Sequence, residues 1–257
     1  MENKVEILIS AMHQKDFNLF YATRITTDAL MINQSDIEDY VCKNNDNGWR
    51  IISTTERGLS RSRNKAIENA KGGICLICDD DEVLYDGYAS KIQQAYSQFP
   101  DADIICFKVL FEGKSYSNKS YKIGYLKALR VSSVQMTFRL KSIMDANVKF
   151  DTDYGSGTPM GSGEENIFMY DCLKKGLRAY YVPIDIGEVK QVNSKWFRGF
   201  TEDYFWKRGK IIRRMMGCWG CFYLLYFAIT KYRRYRANVG LLKALNLMLK
   251  GWRERYV

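Results

Sequence analysis

"GGICLICDDDEVLYDGY", residues 72–88, passes from a glycine pair through five apolar residues into three consecutive aspartates. An unbroken run of Ile, Cys and Leu suits a strand buried on both faces. Asp79, Asp80 and Asp81 add nothing to such a core, and their charges repel one another. Gathered at a strand's carboxyl end, they suit a divalent cation. Hard cations such as Mg2+ and Mn2+ take oxygen ligands and often share one or two carboxylates with a substrate's phosphates. The plainer reading is a solvated acidic turn, with Glu82 and Asp86 nearby.

Working outward, residues 1–110 alternate between strand-like and helix-like pieces. Strands are expected at "VEILISAM" (5–12), "TDALMINQSD" (27–36), "WRIISTT" (49–55), "ICLIC" (74–78) and "ADIICFKVLF" (102–111). Between them, "GLSRSRNKAIENAKGG" (58–73) has good helix formers and a Gly-Gly stop, and a second helix over 86–98 ends before Pro100. Such alternation predicts an α/β fold with a mostly parallel sheet flanked by helices. Ligands of such sheets bind beyond the carboxyl ends of the strands, where the aspartates lie. Residues 110–160 are polar and rich in Ser, Lys and Tyr, and predict mixed strands and loops. "GTPMGSGEENIFMYDCLKKG" (157–176) passes from a Gly/Ser-rich loop into a helix, and "LRAYYVP" (177–183) reads as a last short strand.

The bulk numbers bound the rest. With 257 residues and 46% hydrophobic composition the chain can build one sizeable core. The apolar stretch in "MENKVEILIS" is too short for a signal peptide, and seven cysteines do not suggest a secreted disulfide framework, so a reducing cytoplasm is expected. The net charge of +10 is uneven: residues 206–257 hold 13 Lys/Arg against Glu254 alone. Residues 1–205 are nearly neutral, which argues against a nucleic-acid partner for that part. Cys75-x-x-Cys78 and Cys218-x-x-Cys221 have zinc-like spacing. The first pair falls in a strand, where residues three apart face opposite sides, and the second in an apolar run, so both read as small hydrophobes.

"RGLSRSRNKAIENAKGGICLICDDDEVLYDGY" (57–88) resembles the signature of family 2 glycosyltransferases of the GT-A fold, a Rossmann-like sheet. Ser62-Arg63-Asn64 stands at the family's "ARN" tripeptide, Ala70-Lys71-Gly72 at the helix end, and Asp79-Asp80-Asp81 at the D-x-D cluster. "GSGEENIFMYDCLKKGLRAYYVP" (161–183) looks like the family's G-E-D segment, with Glu165 where Asp is usual and Glu164 as the neighbouring alternative. The resemblance covers the order of elements over roughly 4–200. It implies that Asp81 ligates Mn2+ or Mg2+, with Asp79 and Asp80 on the nucleotide ribose or on the metal through water. It also implies that a glutamate at the helix start is the catalytic base, and that the nucleotide base sits near Ser10, Ala11 and the end of the second strand. There the chain has Asn33-Gln34 where the family commonly has two aspartates. Arg63 either holds the donor's diphosphate or supports the turn. Lys190, Lys195 and Arg198 could reach that diphosphate, or could simply be solvated. The single histidine, His13, reads as an ordinary loop residue or as one lining the nucleotide cleft.

The expected architecture is therefore a GT-A domain over 1–205 and a basic, apolar helical tail over 206–257. Met215–Thr230 is a 16-residue run without charge, flanked by Arg213-Arg214 and "KYRRYR". As one helix it would span about 24 Å, short of the roughly 30 Å hydrocarbon core. It suits a shallow anchor on an anionic membrane surface, or a helix packed on the main domain. After it, Leu242, Leu245 and Leu249 share one helix face. Processive polymer synthases of the family carry several spans and a Q-x-x-R-W motif; "QVNSKW" (191–196) is one residue too long and has Lys for Arg.

The expected function is metal-dependent, inverting transfer of one sugar from a nucleotide sugar, a UDP-sugar first, to a saccharide or lipid-linked saccharide. The expected place is the inner face of the cell membrane, as in surface-polysaccharide assembly. A sugar-phosphate nucleotidyltransferase would need a Gly-rich basic loop after the first strand, and "SAMHQKDF" (10–17) is none. A non-catalytic membrane-associated nucleotide-binding partner would have no need of carboxylates at both motifs.

Overall fold

The computed structural model describes residues 4–36, 42–44, 46–111, 113–190 and 199–254. The chain divides into two compact units, Met1–Val192 and Asn193–Val257.

The first unit is built on one sheet. Strands β1 (Val5–Met12), β2 (Asp28–Gln34), β4 (Trp49–Thr54) and β5 (Ile74–Asp79) are parallel, in the order β4-β2-β1-β5. On the outer edge β3 (Cys42–Asn44) pairs antiparallel with β4. Beyond β5 the order continues through β9 (Met136–Arg139), β7 (Ile104–Leu110), β10 (Ala179–Val189) and β6 (Glu82–Leu84), while β8 (Tyr121–Ile123) pairs with β10. The long registers are parallel, β7 with β10 included; the antiparallel pairings extend over three residue pairs each. The sheet is thus mostly parallel, and its chain order reverses between β2-β1 and β1-β5.

Alternation sorts the strand side chains onto two faces. Ile7, Ile9, Met31, Ile51, Leu76, Cys78 and Phe107 join Phe20 of α1 (Asn18–Ala22) and Tyr88, Ile92 and Tyr96 of α3 (Tyr88–Gln98) in one core. Cys75, buried and outside that core, takes the opposite face, as its spacing from Cys78 implies. The helix α2 (Leu59–Asn69) lies against β1 and β2 on that second face, burying Ser62, Arg63, Ala66 and Ile67. Where α2 returns to β5, Gly72 is needed for close approach: a Cβ there would stand 2.5 Å from Glu6 Cβ. Glu6, 1% exposed, accepts from the Lys71 and Gly72 backbone N–H groups and pairs with Arg50 at 2.6 Å.

Three expectations change. The stretch 110–160 contains β8, α4 (Tyr125–Ala128), β9 and α5 (Leu140–Ala146). The strand expected over 177–183 continues to Val189. Its pairing with β7 is irregular between Tyr181 and Asp185, around Pro183, which has no N–H to give, and the strand then takes β6 as a further partner. The uncharged run 215–230 is not one helix, because Gly217, at φ 57°, ends α7 (Glu202–Met216) before α8 (Gly220–Tyr235) begins.

In the second unit, α7 and α9 (Leu241–Arg253) cross with almost no side chain between them. A Cβ on Gly209 would lie 2.0 Å from the Met248 carbonyl oxygen, and one on Gly251 2.0 Å from that of Trp206. Leu242, Leu245 and Leu249 share a face, as expected, but it is not the buried one; Ala244, Met248 and Gly251 are. Gly251→Ala should therefore force the backbones apart and lower stability by about 3 kcal/mol, the upper end for overpacking. Gly240→Ala, which among the described residues meets nothing within 4 Å, serves as the control. Equal melting temperatures for the two variants would refute the close crossing.

Candidate active site

The parallel registers line up the candidate residues at the carboxyl edge of the sheet. Ser10 stands opposite Asp79 across the β1–β5 reversal, Ala11 opposite Asn33, and Asn33 opposite Ser53. This is the switch point where such sheets leave a crevice. Ser10 and Ser62 share a hydrogen bond at 2.8 Å, which fixes the start of α2 over the end of β1. Asn33 and Gln34 are buried and their amides are engaged within the protein. Asn33 accepts from the Gln14 N–H and donates to Gln14 O and Ser53 Oγ, while Gln34 accepts from the Gly58 N–H at 2.8 Å. These two amides hold the loops that follow β1 and β4 at the carboxyl edge of the sheet.

Arg63 is the connecting residue. Only 2% exposed, it donates from Nη2 to Asp79 Oδ1 and Ser133 Oγ, both at 2.9 Å, and from Nη1 to Glu164 Oε1 at 3.0 Å. Its guanidinium lies 5.5 Å from the centre of the Phe150 ring. Burial works against its charge, and the carboxylates of Asp79 and Glu164 more than offset that. One side chain thus joins the aspartate cluster to the start of α6 (Glu164–Lys174).

At that start, Gly163 adopts φ 97°, and Glu164 and Glu165 occupy the first turn, where the helix dipole favours negative charge. The two glutamates differ. Glu164 is buried against Arg63, while Glu165 is partly exposed. Burial first, and the neighbouring Glu164 charge second, push the Glu165 carboxyl up to about 8. The preceding loop is stitched to α2: Leu59 N–H donates to Ser156 O, and Ser60 Oγ to Tyr154 O. Gly155, at φ 98°, leaves room for Glu164, whose carboxyl carbon would lie 3.1 Å from an added Cβ.

Asp80 and Asp81 are raised from the ordinary aspartate value by burial first and then by charge within the cluster. Lys190, exposed at the end of β10, donates its backbone N–H to Asp81 O at 3.0 Å, so its side chain departs from beside the cluster. Lys195, Arg198 and the "QVNSKW" segment lie outside the described residues. His13 is exposed, 3.7 Å from Asp36.

Among the described residues no three His, Cys, Asp or Glu side chains form a ready-made cage for a metal ion. Mg2+ and Mn2+ do not require one when substrate phosphates complete the shell. Adjacent hard-oxygen carboxylates with raised proton affinity form a donor set that fits such a cation.

Sequence reasoning missed Ser133, Phe150 and Lys114. Lys114 Nζ donates to Ser132 Oγ at 2.7 Å and Gln135 Oε1 at 2.6 Å. Burial lowers its pKa to about 8, against the pull of Glu165 among others. All three fall in the polar stretch 110–160, and only the repeated glycines after Phe150 hinted that the chain there is shaped around something.

A mostly parallel sheet with carboxylates at its switch point and a second acidic pair at a facing helix start has the architecture of a GT-A transferase. Residues 33–160 match the family described as "Glycosyl transferase family 2". Among solved structures, S. aureus TarS residues 1–349 in complex with UDP-GlcNAc is similar with a TM-score of 0.64 at 13% identity, covering 96% of this chain and 81% of that one. The same fragment with UDP gives 0.62 at 12%, covering 96% and 80%, and a further TarS structure gives 0.61 at 13%, covering 91% and 44%. No match was found among curated protein sequences. The protein belongs to glycosyltransferase family 2 and is a glycosyltransferase of the GT-A fold.

Proposed function

We propose that the protein transfers one sugar, with inversion, from a nucleotide-sugar donor to the hydroxyl of a saccharide acceptor carried on a lipid. The observation that carries this reading is Arg63, which ties Asp79 to Glu164 and so brings the two acidic motifs into one site. The family match and the TarS complexes with UDP-GlcNAc and UDP support a nucleotide-sugar donor, UDP-linked first. The nucleotide base is assigned to the crevice bordered by Ser10, Ala11 and the loops that Asn33 and Gln34 hold.

Glu165 is assigned as the general base. It is the accessible member of the pair, and its raised proton affinity suits a group that takes a proton near neutral pH. The acceptor oxygen, losing its proton to Glu165, attacks the anomeric carbon. The bond from that carbon to the diphosphate oxygen breaks, and its electron pair leaves with the nucleoside diphosphate. Asp81 and Asp79 would hold Mn2+ or Mg2+, which when bound supplies positive charge against the charge growing on the diphosphate. Arg63 is engaged with Asp79, Ser133 and Glu164, so its task is to position carboxylates.

Thermal shift with Mn2+ and a panel of UDP-, GDP- and dTDP-sugars tests the donor: a UDP-sugar should stabilise most, and EDTA should remove the effect. Asp81→Ala should weaken Mn2+-dependent UDP binding at least ~10-fold by titration calorimetry, in the range for disturbed metal shells. Unchanged affinity would take Asp81 out of the site.

A further inference from the structure

The second unit leaves one helix apolar on two opposite faces. Gly220, Leu224, Phe227, Ala228 and Tyr235 form the buried face of α8. Away from it, Phe222, Tyr226 and Ile229 are 60–66% exposed and Leu225 47%, with Trp219 at 77% just before the helix. At 3.6 residues per turn, positions 222, 225, 226 and 229 fall within about 100° of arc, one continuous stripe. Scattered surface apolar residues need no explanation, but a contiguous stripe does.

Charge identifies the cover. Arg233, Arg234 and Arg236 are exposed at the carboxyl end of the same helix. The acids of α7 and the chain end are already engaged: Glu202 with Lys243, Asp203 with Lys207, and Glu254 with Trp206 and Lys210. Two copies paired stripe to stripe would bring the same arginines together, with these acids already engaged. An anionic lipid surface offers acyl chains to the stripe and phosphates to the arginines. Trp219 and Tyr226 have the amphipathic rings that favour the headgroup level. No helix among the described residues is long and apolar enough to cross a membrane, so α8 would lie along the surface.

We propose that the face of α8 formed by Phe222, Leu225, Tyr226 and Ile229, with Trp219 before it, docks on an anionic bilayer surface and is held there by Arg233, Arg234 and Arg236. This inference is independent of the donor and base assignments.

The test uses the full chain with sedimenting vesicles of phosphatidylcholine, alone or mixed with phosphatidylglycerol. Binding to the mixed vesicles should be stronger by at least ~10-fold, and high salt should release part of it. The double variant Leu225→Glu/Ile229→Glu should lose at least ~10-fold in binding at low salt, with circular dichroism and melting temperature unchanged because both positions are exposed. Arg233→Glu/Arg234→Glu should abolish the preference for anionic lipid. Failure of the wild-type chain to bind mixed vesicles would overturn the proposal. So would binding that survives both double variants. Light scattering that shows a dimer dissociated by Leu225→Glu/Ile229→Glu would assign the stripe to a second copy instead.

Discussion

Glu165→Gln should reduce the turnover of sugar transfer by about 1,000-fold while leaving donor affinity within a factor of about two, the pattern for loss of a positioned base. The amide keeps the size and the place at the start of α6 but cannot take a proton. Glu164→Gln should act differently. Its carboxylate faces Arg63 from a buried position, so the loss should appear in stability as well as in rate. The pH profile separates the two further. Burial and the Glu164 charge raise the Glu165 carboxyl to about 8, so kcat/KM should climb with pH up to that region and then level off. The sign for stability is opposite. A folded-state pKa raised above the unfolded value favours the protonated form, so the stability Glu165 contributes is full below about pH 4.5. It is lost as pH rises through about 8. Glu165→Gln should therefore melt higher than wild type at pH 9, with the difference gone by pH 4. A larger rate loss in Glu164→Gln than in Glu165→Gln would move the base by one residue.

What could be read from the residues follows from how local each signal is. The strand "ICLIC" and the helix that precedes it declare themselves by apolar runs, helix formers and a Gly-Gly stop, and both stand where expected. The carboxylates could be found because three acids after a buried strand, and two at a helix start, have no use in a core. The partners that organise them could not. Ser133 and Phe150 reach Arg63 from a polar stretch without periodicity, across 70 or more residues of chain. Asn33 and Gln34 were legible as strand-end residues, but the engagement of their amides depends on Gln14, Ser53 and Gly58, brought in by three different loops or strands. In the second unit, composition showed the uncharged run but not its break, because Gly217 in "MMGCWG" looks no different from Gly220, which lies within the next helix.

Arg63→Ala should be the most damaging single change in the first unit, costing about 3–5 kcal/mol of stability together with nearly all activity. Its guanidinium is 2% exposed and is shared by Asp79, Glu164 and Ser133. Removing one partner of a buried charge pair leaves the other charge desolvated, and that is where the cost arises. Here the Glu164 carboxylate is left without its cation, and among the described residues its Oε2 has no other hydrogen-bond partner to fall back on. Because a variant this unstable could lose activity merely by unfolding, Arg63→Lys supplies the sharper measurement. An ammonium is a single point charge on a flexible stem, whereas the guanidinium fork spans two carboxylates in a fixed geometry. The substituted ammonium could pair with Glu164 or with Asp79, but could not hold both in register. The Arg63→Lys variant should stay folded, recover at least half of the lost stability in urea titration, and still show turnover reduced by about 100-fold, the size expected when misplacement rather than lost charge is at fault. Wild-type turnover in Arg63→Lys would mean that charge alone is needed at this position, and that the two acidic motifs do not depend on a shared fork for their alignment.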